Sequence, residues 1–126
     1  LQLLETQGIV WGVVTNKSST YTRPLMQALG LAVRSAATVS ADEVVNSKPH
    51  PKPLFKAAGK AGVDAADCVY VGGHARDIEA GRRAGMVTVA VGWGYLPEPH
   101  SHTTWGADVV CDTPADFLRW LQGRLA

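Results

Sequence analysis

Short apolar runs rich in β-branched residues recur along this chain at 9–14, 37–39, 68–71, 87–91 and 109–111. Between them lie segments whose apolar residues repeat at helical spacing. A short run without polar alternation has no solvated face, so it suits a strand buried on both sides. Strands of that kind, alternating with amphipathic helices through short connections, predict an α/β domain built on a parallel sheet. Other arrangements leave either the strands or the helix stripes exposed to water.

The helical segments carry their own stops. "LQLLETQG" predicts the last turns of a helix closed by Gly8. Leu25, Met26 and Leu29 predict an inner face ended by Gly30, with Pro24 tolerable only in the first turn. A rigid Pro-rich loop over 47–53 leads into a helix with Leu54, Ala57, Ala58 and Ala61 inward and Gly62 as its stop. After the run at 68–71, Ile78, Gly81 and Ala84 give a face of small residues suited to close packing on a sheet, ended by Gly85. Thr113-Pro114-Ala115-Asp116 is a helix start with a capping hydroxyl and an early acid, ahead of a stripe of Phe117, Leu118, Leu121 and Leu125. Residues 92–104 read as a loop.

A chain of 126 residues is expected to form one domain over 1–126 and to bury a genuine core. Hydrophobic content of 46% and charged content of 18% fit an ordinary globular protein. With a net charge of +1 and no basic run longer than Arg82-Arg83, neither nucleic acid nor a membrane surface is an expected partner. No apolar stretch approaches the roughly 20 residues of a membrane span, and no secretory signal pattern is present. Cys68 and Cys111 have no motif spacing and read as buried thiols of a reducing compartment, so the expected location is cytoplasmic. The chain begins at Leu1 inside what reads as a helix, as a piece of something longer would.

In parallel α/β sheets ligands sit beyond the carboxyl ends of the strands. That rule selects Thr15-Asn16, residues 72–77 and residues 92–95. The segments that carry chemistry there are "VVTNKS", "SKPHPKP" and "VYVGGHARDIEAGRRAGM". In order and spacing they resemble motifs II, III and IV of the haloacid dehalogenase superfamily, and within it the phosphoglycolate-phosphatase-like hydrolases. "LQLLETQGIVWG", "GWGYLPEPH" and "WGADVVCDTPADFLRWL" resemble the same subgroup, so the likeness covers almost the whole chain.

The resemblance implies a Rossmann-like three-layer core and hydrolysis of phosphate monoesters through an aspartyl-phosphate, with Mg²⁺ assisting. It implies that Thr15 and Asn16 bind phosphoryl oxygens and that Lys48 neutralises the phosphoryl group, with Thr15 and Lys48 counted as catalytic. Asp77 would lie in the outer shell of the metal or partner Lys48. Apart from the resemblance, Thr15 reads as a turn residue, Lys48 as a solvated loop lysine and Asp77 as an acid complementing its helix dipole. His50, His100 and His102 lack ligand spacing and read as loop residues, the Arg82-Arg83 pair reads as a solvated helix face, and His74 has no implied role.

Two departures qualify the implied activity. The first acid of motif IV falls at position 73, where this chain has Gly73. A glycine side chain cannot ligate a hard cation that takes oxygen donors, so Mg²⁺ binding by this chain is doubtful. The nucleophile motif, Asp-x-Asp, occurs nowhere in the sequence, and the cap domain is missing with it. The expectation is therefore a phosphatase core, inactive as this isolated chain. The alternative is a non-catalytic, degenerate module that binds phosphate or a protein partner.

The expected ligand is a small phosphorylated molecule or inorganic phosphate. The strand that would carry the missing motif belongs between 9–14 and 68–72. Direct pairing of those two runs is the expected closure, in the order 109–111, 87–91, 68–72, 9–14, 37–39. A strand supplied by a second copy or by an amino-terminal fragment is the other route.

Overall fold

The computed structural model describes residues 1–93, 98 and 100–125. The elements run α1 (Gln2–Thr6), β1 (Gly12–Val14), α2 (Ser19–Ala28), β2 (Ala37–Val39), α3 (Lys52–Ala61), β3 (Val69–Gly72), α4 (Ala75–Arg83), β4 (Val87–Val91), β5 (Val109–Cys111) and α5 (Pro114–Leu125). All strand pairings are parallel. The run at 9–14, expected to be a strand buried on both sides, is a strand only over Gly12–Val14, with Val10 and Gly12 exposed.

Helices cover both faces of the strands. Leu54 and Ala58 of α3 pack with Ala80 of α4 and with Ala84 and Met86 just after it, against Val14 and Tyr70. On the other side Val89, Val91 and Cys111 pack with Phe117 and Trp120 of α5. The period-two geometry of β4 explains the division, since Val89 and Val91 share a face while Thr88 turns toward α4. A Cβ at Gly81 would stand 2.7 Å from the Thr88 methyl, so only glycine lets α4 lie this close to β4.

The expected strand order holds except at its centre. β5-β4-β3 form one sheet and β1-β2 another, and no ladder joins β1 to β3. The direct pairing of 9–14 with 68–72 is thus not made. Side chains span the junction instead. The Tyr70 hydroxyl of β3 donates to the Val14 carbonyl of β1 at 3.4 Å, and the Lys48 ammonium bonds both groups. These contacts tie the two strands together from the face that α3 and α4 cover, without a backbone ladder.

Four local expectations are corrected. Pro24 lies inside α2 and not in its first turn. The helix starts earlier because Asp42 accepts from both the Ser19 N–H (2.8 Å) and the Ser19 hydroxyl (2.6 Å), which fixes the amino end before the proline is reached. On α2 the buried residues are Thr22 and Met26, whereas Leu25 and Leu29 are exposed. On α5 Leu118 is exposed and Trp120 packs inward in its place. His102 is no surface loop residue. It sits in a 3-10 turn at Ser101–Thr104, is buried, and bonds Asp112 at 2.6 Å.

The capping expectation at Thr113 is met, with Thr113 and Asp116 exchanging two 3.1 Å hydrogen bonds. Cys111 is buried, Cys68 is half-buried, and both thiols are free. Part of the 92–95 segment lies outside the described residues. Among the described residues no helix is long and apolar enough to cross a membrane.

Candidate functional site

Three segments distant in sequence meet beyond the carboxyl ends of β1 and β3. The turn after β1 brings Thr15, Asn16 and Lys17, the loop before α3 brings Lys48, and the first turn of α4 brings His74, Arg76 and Asp77. Together they line a pocket of about 470 Å³. Of the three places the strand-end rule selects, two therefore form one site.

Lys48 is the centre of this arrangement. Only 9% of the residue is exposed, so its charge is stable only if its donors are met. Each ammonium hydrogen has an acceptor: Asp77 Oδ1 at 2.6 Å, the Tyr70 hydroxyl at 2.9 Å and the Val14 carbonyl at 3.1 Å. The loop is held from its backbone as well. The Asn16 amide donates to the Lys48 carbonyl at 3.3 Å and its oxygen accepts from the Lys48 N–H at 3.2 Å. Asn16 thereby fixes the loop that delivers Lys48, a role not anticipated from the sequence.

Asp77 is also buried, and its second oxygen accepts from the His74 N–H at 3.2 Å. The carboxylate therefore caps α4 and pairs with Lys48 at once, so its two sequence readings are compatible. Gly72 permits this, because a Cβ there would stand 2.2 Å from the Asp77 Cβ. The Thr15 hydroxyl accepts from the Lys17 N–H at 3.1 Å, a turn contact that leaves its own hydrogen available to the pocket.

Tyr70 is the site residue that sequence reasoning missed. Burial pushes its phenol well above the ordinary tyrosine value, and the Asp77 carboxylate nearby acts in the same direction. It stays protonated, so it can accept from Lys48 and donate to Val14 together. The available signal was a tyrosine inside an otherwise aliphatic strand, since a buried phenol hydroxyl needs a partner.

The residues do not suit a divalent cation. Among the described residues no group of three or more His, Cys, Asp or Glu converges. One oxygen of Asp77 meets an ammonium at 2.6 Å and the other meets a backbone N–H, so the carboxylate's charge is already matched by Lys48 and it is the only acid lining the pocket. Gly73 contributes nothing, although there is room for a side chain, the nearest atom to an added Cβ being a Val91 methyl at 3.8 Å.

The profile of the haloacid dehalogenase-like hydrolases matches residues 1–91. The chain belongs to that family. It is 43% identical over 125 residues to N-acetylmuramic acid 6-phosphate phosphatase of Pseudomonas aeruginosa, an alignment covering 99% of this chain and 55% of the relative. It is also 43% identical over 114 residues to a phosphoglycolate phosphatase of Xylella fastidiosa, covering 90% of this chain and 50% of the relative.

Among solved structures, a predicted phosphoglycolate phosphatase from Haemophilus somnus superposes with a TM-score of 0.85 at 30% identity, over 96% of this chain and 53% of the other. A hydrolase from Pseudomonas syringae gives 0.82 at 26% identity, over 97% and 55%. This chain spans about half the length of the curated relatives it matches. These two curated relatives are phosphatases, and the likeness to the phosphoglycolate-phosphatase-like group rests on family, sequence and fold together.

Proposed function

We propose that this haloacid dehalogenase-like chain is the phosphoryl-gripping part of a phosphatase core acting on small phosphate monoesters of the phosphoglycolate class. The observation that carries the reading is the convergence of Thr15, Asn16, Lys48 and Asp77 in one pocket at the strand ends. In this reading the Thr15 hydroxyl donates to a phosphoryl oxygen and Asn16 sets the loop. Lys48, poised by Asp77 and Tyr70, supplies the positive potential that stabilises charge on the transferring group.

The nucleophile would come from an Asp-x-Asp strand of an amino-terminal segment seated between β1 and β3, since a second copy of this sequence has no such motif to offer. The unjoined edges of those two strands support such a strand. Mg²⁺ in the assembled enzyme would need its carboxylates from that strand, because Gly73 supplies none. The two free thiols fit a reducing, cytoplasmic setting. Gly73 also favours a second reading, a degenerate module that keeps phosphate binding without turnover.

Calorimetry with phosphoglycolate and with glycolate tests the ligand class. Phosphoglycolate should bind and glycolate should not, because the pocket's cations recognise the phosphoryl dianion. Equal binding of the two would contradict the reading.

A further inference from the structure

We infer that this chain takes the phosphoryl dianion directly on Arg76 and Lys17, with no divalent cation between protein and phosphate. The inference rests on the phosphate-monoester reading and adds how that pocket holds its ligand. Three cationic side chains, Lys17, Lys48 and Arg76, line the pocket against one carboxylate, Asp77, so the lining sums to three minus one, or +2, with His74 neutral. A phosphate monoester above its second pKa of about 6 carries a charge near −2 and complements that lining without a metal.

The three cations are not equivalent. Lys48 has all three ammonium hydrogens engaged by Asp77, Tyr70 and Val14, so an incoming phosphate finds no open donor on it in this arrangement. Pairing with Asp77 at 2.6 Å leaves Lys48 to act on the ligand through the field of the pocket and not through a free donor. The side chains of Lys17 and Arg76 have no ion pair among the described residues and lie on the exposed side of the pocket. They are the donors available to a ligand. Arginine adds a planar fork that meets two phosphate oxygens at once. The missing acid at position 73 completes the logic. A carboxylate there would repel the dianion unless a cation came with it, whereas glycine leaves the positive lining unopposed.

The test is calorimetric titration of the 126-residue chain with inorganic phosphate at low salt, in EDTA and then in excess Mg²⁺. The dissociation constant should be the same in both within about twofold. Arg76→Gln and Lys17→Gln should each weaken binding by about threefold to tenfold, the range for partly exposed charge-assisted contacts. Gly73→Asp, which the backbone accommodates, should weaken binding in EDTA and regain it in Mg²⁺.

Each failure points to a different step. Wild-type binding that appears only with Mg²⁺ overturns the inference and leaves the phosphate reading standing. Binding indifferent to both Arg76→Gln and Lys17→Gln overturns the assignment of those donors. Absence of phosphate binding in either buffer removes the phosphate reading itself.

Discussion

Asp77→Asn is expected to destabilise the folded chain by about 3–5 kcal/mol, although the new side chain has nearly the same shape. The substitution keeps an oxygen for the His74 N–H, but it removes the negative charge beside Lys48 and turns an amide donor toward the ammonium in place of an acceptor. The Lys48 side chain is 7% exposed, so its ammonium would be left buried with two neutral acceptors and no counter-charge. Removing one member of a buried pair costs more than the pair contributes, because the survivor keeps its full desolvation penalty.

Ordinary domains have about 5–15 kcal/mol in total, and a sheet left unjoined between β1 and β3 is not a source of reserve. Urea unfolding followed by tryptophan fluorescence measures the change, with four tryptophans as reporters. Lys48→Met should cost a comparable amount, and the double substitution should cost less than the two added together. A loss below about 0.5 kcal/mol for Asp77→Asn, the size of an ordinary surface change, would mean that the pair is solvated in solution.

Turnover by this chain alone is expected to be indistinguishable from blank, with p-nitrophenyl phosphate as substrate and with Mg²⁺ present or absent. Uncatalysed hydrolysis of phosphate monoesters is so slow that enzymes accelerate it by up to about 10²¹-fold. In this family's chemistry that acceleration passes through a covalent aspartyl intermediate. The pocket retains charge stabilisation and orientation, but no Asp-x-Asp exists in the sequence to accept the phosphoryl group. Gly73→Asp should not create activity, since a metal ligand cannot replace a nucleophile. Mg²⁺-dependent release of p-nitrophenol abolished by Lys48→Ala would contradict this.

How much of this was legible follows from the range of each interaction. β3, β4 and the turn at Gly72 were readable because an apolar run, a glycine and a first-turn acid are neighbours in sequence. The close packing at Gly81 was readable because helix spacing puts Ile78, Gly81 and Ala84 on one side. Lys48 and Asp77 could be connected only through motif spacing, since 29 residues separate them and no local pattern joins them.

Most of what failed was non-local. The face of α2 was assigned by apolar identity, but Thr22 can turn inward because its hydroxyl bonds the Ser18 carbonyl at 3.0 Å. That leaves Leu25 and Leu29 outward. The early start of α2 depends on Asp42, which lies 23 residues from the Ser19 it caps. His102 is buried with its ring against Gly92, and its Nε2 bonds Asp112, ten residues on. The junction of β1 and β3 failed for the same reason. Nothing in either strand shows that the Tyr70 hydroxyl and the Lys48 ammonium would meet the Val14 carbonyl where a backbone ladder was expected.

The phosphate-gripping role of the pocket between β1 and α4 is tested most directly by amide chemical-shift mapping during titration with inorganic phosphate. Residues 15–17, 48 and 72–76 should shift together with one saturation curve. The turns at Gly62 and Gly85, which lie outside the pocket lining, should stay still. A titration that leaves 15–17, 48 and 72–76 unmoved, or that moves only the exposed Arg119 and Arg124 on α5, would show that these residues do not form a phosphate site.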